Sequence, residues 1–227
     1  MTIANWILLG AIIVTTGLLI FSYIKKYRLL KIICESLIIP LFGAINILFL
    51  RNYLPDSRHL IKITITALSL ITISTVFIAL EKKRILRVSG RVLVLAGAVT
   101  WISLYKTVFF IHKVPLWLTI IMLMIYLAGL IVSIILSGKQ DPVFYVLFAF
   151  SFMVSAYLNF CSMIFLCFET SGSAVMLFAG TALFLGLTAF HFINQAKLKI
   201  KHAGVIRYSL LVASQILIAC SNILMIN

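Results

Sequence analysis

Residues 114–137 read VPLWLTIIMLMIYLAGLIVSIILS, an uninterrupted apolar run with no charged side chain between Lys113 and Lys139. The hydrocarbon core of a bilayer is about 30 Å thick, and a helix crosses it with ~20 mostly apolar residues. A helix also closes its own backbone hydrogen bonds, which lipid cannot do for it. This stretch therefore predicts a transmembrane helix.

The same pattern recurs on both sides of it. Apolar runs between charged breaks predict spans at 3–24, 30–50, 60–80, 88–111, 114–137, 142–168, 172–194 and 206–226. Of 227 residues, 63% are hydrophobic and 11% charged, and the mean hydropathy is +1.21. A soluble core in so short a chain cannot absorb that much apolar surface, whereas a bilayer can. The expectation is an all-α polytopic membrane protein, a bundle of about eight transmembrane helices forming one integral membrane domain over residues 1–227. The fourth span departs from the pattern, with Arg91 near its start and Lys106 near its end. Both side chains are long enough to reach toward the headgroups.

A formal charge of +14 would suit a nucleic-acid partner if it formed one patch, but it follows the loops instead. Lys25, Lys26, Arg28 and Lys31 lie in the first loop, Lys82, Lys83, Arg84, Arg87 and Arg91 in the third. Lys139 lies in the fifth, and Lys197, Lys199, Lys201 and Arg207 in the seventh. Odd-numbered connections thus hold 14 of the 19 Lys and Arg residues. Under the positive-inside rule they are cytoplasmic, which puts both termini on the other side. The host membrane fits either a bacterial inner membrane or an endoplasmic reticulum. The expected partners are membrane lipids rather than nucleic acid.

The first apolar run lacks a basic segment before it and is too long for a signal-peptide core, so it reads as a span. Cys34, Cys161, Cys167 and Cys220 all fall within spans, with no CxxC pair. They indicate small packing residues rather than a disulfide framework or a zinc site. Pro55, Pro115 and Pro142 stand at span boundaries, whereas Pro40 falls inside the second span and should kink it near Ser36. Trp6 and Trp117 lie near span ends, where an amphipathic ring suits the interface.

Polar groups are costly inside lipid, so their placement is informative. At 100° per residue, Ser151, Ser155, Asn159 and Ser162 share one ~80° arc of the sixth span, and Thr181, Thr188, His191 and Gln195 a similar arc of the seventh. Ser214, Gln215, Ser221 and Asn222 repeat at seven residues in the eighth. In the second, Glu35 and Asn46 share a face, and in the third Thr64, Thr72 and Thr75 do. Such stripes serve either helix–helix contact, where Ser and Thr allow close approach, or an interior cavity for a polar headgroup. Glu35 is the acidic residue set well inside a span, and a carboxylate there must be paired, protonated or functional. Arg91, Lys106 or a helix end are candidate partners. His191 near the cytoplasmic end of its span reads first as an interfacial histidine. The sequence shows no metal-ligand cluster, nucleophile elbow or phosphate-binding glycine loop, and no cofactor is expected.

The C-terminal third resembles a known family. Gly180-Thr-Ala-Leu-Phe-Leu-Gly-Leu-Thr188-Ala-Phe, followed by a basic loop and Val212-Ala-Ser-Gln215-Ile-Leu-Ile-Ala, is similar to the end of the YhhN (lysoplasmalogenase) family. That family reads G-A-L-L-F-x-x-S-D in its seventh span and x-A-Q-x-L-I-A in its eighth. Glu35-Ser-Leu-Ile-Ile-Pro40-Leu is similar to its K-P-L-x-x-P-L, and Ser74-Thr75-Val-Phe-Ile-Ala-Leu to its G-D-V-F-L-L-L. The resemblance implies a lipid-directed membrane hydrolase that cleaves the vinyl-ether bond of lysoplasmalogens. That reaction needs an acid to protonate the alkene carbon and a base to activate water.

The chain departs from the family where this chemistry resides. Thr75 and Thr188 stand at the positions of the family's intramembrane aspartates, Ala98 and Trp101 at its H-x-x-Y, and Glu35 at its lysine. Threonine does not titrate near neutrality, so the mechanism does not transfer intact. One expectation is a divergent lysoplasmalogenase-like protein that binds a single-chain ether lysophospholipid and hydrolyses it. Glu35 would be its catalytic acid/base, with Asn46, Thr75, Asn159, Thr188, His191 and Gln215 contacting substrate. The alternative is a catalytically inactive relative serving as a lipid-binding or complex-forming membrane subunit. A transporter ranks third, because no internal repeat is evident.

Overall fold

The computed structural model describes residues 3–53, 58–79, 84–108, 115–138, 142–168, 171–196, 200 and 203–224. Among them are eight helices and no strand: α1 (Ile3–Lys25), α2 (Arg28–Tyr53), α3 (Arg58–Ala79), α4 (Arg84–Val108), α5 (Leu116–Ser137), α6 (Pro142–Phe168), α7 (Gly172–Ala196) and α8 (Ala203–Leu224). Each lies within a few residues of an expected span. Seven are long and apolar enough to cross a membrane.

The eighth is α4. Its apolar part is confined to Ser89–Ser103, 15 residues that rise ~22 Å against a core of about 30 Å. Arg84, Arg87 and Arg91 lie in its first turns and Lys106 near its end, so spanning over its full length requires charged side chains to reach the interfaces. The side chains of Arg84, Arg87 and Lys106 lie outside the described residues.

Prolines sit where the chain tolerates a missing donor. Pro115 precedes α5 with φ −59°, and Pro142 is the first residue of α6, both suited to a helix start. Pro40 lies inside α2, and the helix continues through it to Tyr53. Pro55 lies outside the described residues. Trp6 and Trp117 are exposed at the ends of α1 and α5, as interfacial rings should be.

The chain divides into two compact units, residues 1–104 with 222–227, and residues 105–221. In the first, α2 packs on α1 and on α3. Glycine sets the spacing there: a Cβ on Gly43 would lie 2.9 Å from Leu68 Cδ1. One on Gly97 of α4 would lie 2.7 Å from Ile71 Cγ1 and 3.3 Å from the carbonyl of Ala67 on α3. In the second unit, α7 packs against α6 and α5, and its Gly180 comes closest to α8. A Cβ on Gly180 would meet Leu217 Cβ at 2.9 Å and the backbone nitrogen of Ile218 at 3.0 Å. Small residues at crossings are the usual means by which membrane helices approach closely.

One end of the second unit is closed by aromatic packing. Phe192 of α7 stacks on Phe144 and Phe148 of α6, with centroids 4.8 and 3.5 Å away. Phe152 and Ala156 continue that buried cluster. Beside it the α5–α6 turn begins at Gly138, which adopts φ 65°, and the Tyr145 hydroxyl donates to its carbonyl.

Candidate functional site

The polar stripes of α6 and α7 meet each other. Asn159 of α6 is buried, its Oδ1 accepting from the Tyr126 hydroxyl of α5 at 2.9 Å. Its Nδ2 donates to Thr181 Oγ1 of α7 at 3.0 Å. Thr181 Oγ1 also stands 2.6 Å from Ser162 Oγ and 3.0 Å from the carbonyls of Leu177 and Phe178. Ser162 Oγ also lies 2.6 Å from the Asn159 carbonyl, so each of the two hydroxyls has a helix carbonyl as acceptor and either can donate to the other instead. One turn back along α6, Ser155 lies 3.0 Å from Thr188 of α7. Three helices are thus joined by side-chain bonds through one amide.

This arrangement follows from the i, i+4 and i, i+7 spacings on each helix, which stack the polar residues as a seam. The seam supports the helix-contact role of these stripes. In lipid each such bond contributes about 0.6 kcal/mol, up to ~1.7.

The first unit holds a different cluster. Glu35 lies seven residues into α2 and is buried, a rise of ~10 Å from the helix start. Its Oε1 accepts from the Tyr23 hydroxyl of α1 at 2.5 Å and lies 3.8 Å from Lys31 Nζ, one helical turn back. The same ammonium sits 4.6 Å from the centre of the Tyr23 ring. The carboxyl group therefore has a cation and a hydroxyl donor among its immediate neighbours, so it is a paired buried acid.

The remaining candidates are distributed. Asn46 of α2 is fully buried, and Thr75 of α3 is buried, its hydroxyl donating to the Thr72 carbonyl at 2.7 Å. Thr188 is half-buried and donates to the Phe184 carbonyl at 3.0 Å. Both threonines are thus turned onto their own helix backbones. Ala98 and Trp101 are fully buried in α4. His191 is half-buried beside the Phe192 cluster. Gln215 is buried on α8, with Nε2 3.4 Å from Ser214 Oγ.

Within the second unit the structure brings Asn159 together with Thr181 and Ser162, and Thr188 with Ser155. Within the first it brings Glu35 to Lys31 and Tyr23. Tyr126 and Tyr23 were not singled out in the sequence. Their signal was a phenol well inside one span and another at the end of a span, two residues before a Lys pair. Among the described residues, no group of three or more His, Cys, Asp or Glu side chains is placed to hold a metal ion. In comparison with known proteins, the chain matches no family model, no curated protein and no solved structure.

Proposed function

We propose that this chain is a non-hydrolysing, lipid-binding membrane subunit related in design to the lysoplasmalogenases, with a single-chain ether lysophospholipid as its ligand class. One observation carries the reading. The hydroxyls of Thr75 and Thr188, at the positions where the resemblance expects carboxylates, donate to carbonyls of their own helices. Vinyl-ether cleavage needs a proton donor of suitable pKa at the alkene carbon, and an engaged threonine hydroxyl is not one. Glu35 does carry a titrating group, but Tyr23 and Lys31 hold it as part of the α1–α2 contact.

The basic residues of the odd-numbered loops support cytoplasmic placement of those loops, with both termini on the opposite side. The experiment is lipid retention. Purified full-length protein is equilibrated with equal amounts of lysoplasmalogen and diacyl phosphatidylcholine, washed, and its bound lipid identified by mass spectrometry. Enrichment of intact lysoplasmalogen is expected. Equal retention of the two lipids would remove the lipid-binding reading and leave a complex-forming subunit.

A further inference from the structure

We infer that the α1–α2 turn is a docking surface for anionic phospholipid headgroups of the leaflet in which it sits. This goes beyond the ether-lipid reading and rests only on the helical membrane architecture. α1 ends at Lys25 and α2 begins at Arg28, so only Lys26 and Tyr27 link them. Lys26 adopts φ 58°, the left-handed conformation that reverses the chain in so short a link. The Tyr27 amide donates to the Ser22 carbonyl at 3.0 Å, and the Lys31 amide to the Tyr27 carbonyl at 3.0 Å. The turn is thereby fixed by backbone bonds from both helices.

Three cations project from it. Lys25, Lys26 and Arg28 are all exposed. The fourth, Lys31, is folded back onto Tyr23 and Glu35, and among the described residues no ion pair engages the outer three. No acidic residue stands in the first turn of α2, where the helix dipole already favours an anion. Exposed apolar side chains flank the cations: Ile24, Tyr27 and Leu29, with the Phe21 ring 6.0 Å from that of Tyr27. Cations at headgroup level beside side chains that enter the acyl boundary match a lipid that carries both a phosphate and a tail. Free phosphate would use only the first half of that surface.

The test uses full-length protein reconstituted with a 1:1 mixture of phosphatidylglycerol and phosphatidylcholine, with lipid retained after washing quantified by mass spectrometry. The variant Lys25→Gln/Lys26→Asn/Arg28→Gln removes the three charges while asparagine keeps the left-handed turn. Its phosphatidylglycerol enrichment should fall roughly a hundredfold, given the surface attraction of each basic residue. Arg28→Gln alone, which leaves the turn untouched, should lower it roughly fivefold and serves if the triple variant does not fold. Lys197→Gln/Lys199→Gln/Lys201→Gln removes the same charge from another loop and should retain most of the enrichment. Unchanged enrichment in the α1–α2 variants, or an equal loss in the control, would overturn the assignment.

Discussion

At the scale of single residues, the chain shows how a membrane helix bundle disposes of polar groups. Asn159 is the clearest case, because one amide serves α5 and α7 at once. Asn159→Ala removes both bonds and leaves Tyr126 and Thr181 without that partner. It should cost about 1–2 kcal/mol in a reversible unfolding titration in mixed micelles, and Tyr126→Phe about half that. Glu35 is different, since its neighbouring cation is about one-third exposed, with Lys31 at 34%. Glu35→Gln keeps an oxygen for Tyr23 and loses the ion pair with Lys31. It should therefore shift stability by less than about 1 kcal/mol, measured in the same titration. A loss of several kcal/mol there would show that the carboxylate carries more of the α1–α2 contact than its two neighbours suggest.

At the scale of elements, the crossings depend on where glycine is placed. Gly180 admits no Cβ, because the nearest atoms include the backbone nitrogen of Ile218, which cannot swing aside. Gly180→Ala should destabilise the α7–α8 crossing by about 1–3 kcal/mol, read as a lowered melting temperature of the detergent-solubilised protein. Gly17 on α1 has nothing within 4 Å of such a Cβ. Gly17→Ala should be neutral or slightly stabilising through helix propensity alone. Seven of the eight helices were legible as runs of apolar residues because bilayer thickness fixes both their length and their composition. The charges of α4 were equally legible, and they are what shortens its apolar part. The α6 and α7 stripes could be read from helical periodicity. Their partners could not, because periodicity gives the face of a helix and not which helix that face meets. For that reason the partnership of Tyr126 with Asn159 could not be read from it.

At the scale of the whole molecule, the charge distribution and the polar interior lead to separate expectations. In a cysteine-free background, Lys26→Cys at the α1–α2 turn should react with an impermeant thiol reagent only from the cytoplasmic face. Trp117→Cys at the start of α5 should react only from the opposite face, which checks the proposed orientation. The central proposal concerns chemistry: that the buried polar side chains join helices rather than move protons. The most direct measurement is fatty-aldehyde release from lysoplasmalogen by the purified, lipid-reconstituted protein, beside a protein-free blank and the Glu35→Gln variant. No aldehyde above the blank is predicted for either protein. Sustained release by the wild-type chain that disappears in Glu35→Gln would contradict the account and make Glu35 a catalytic residue.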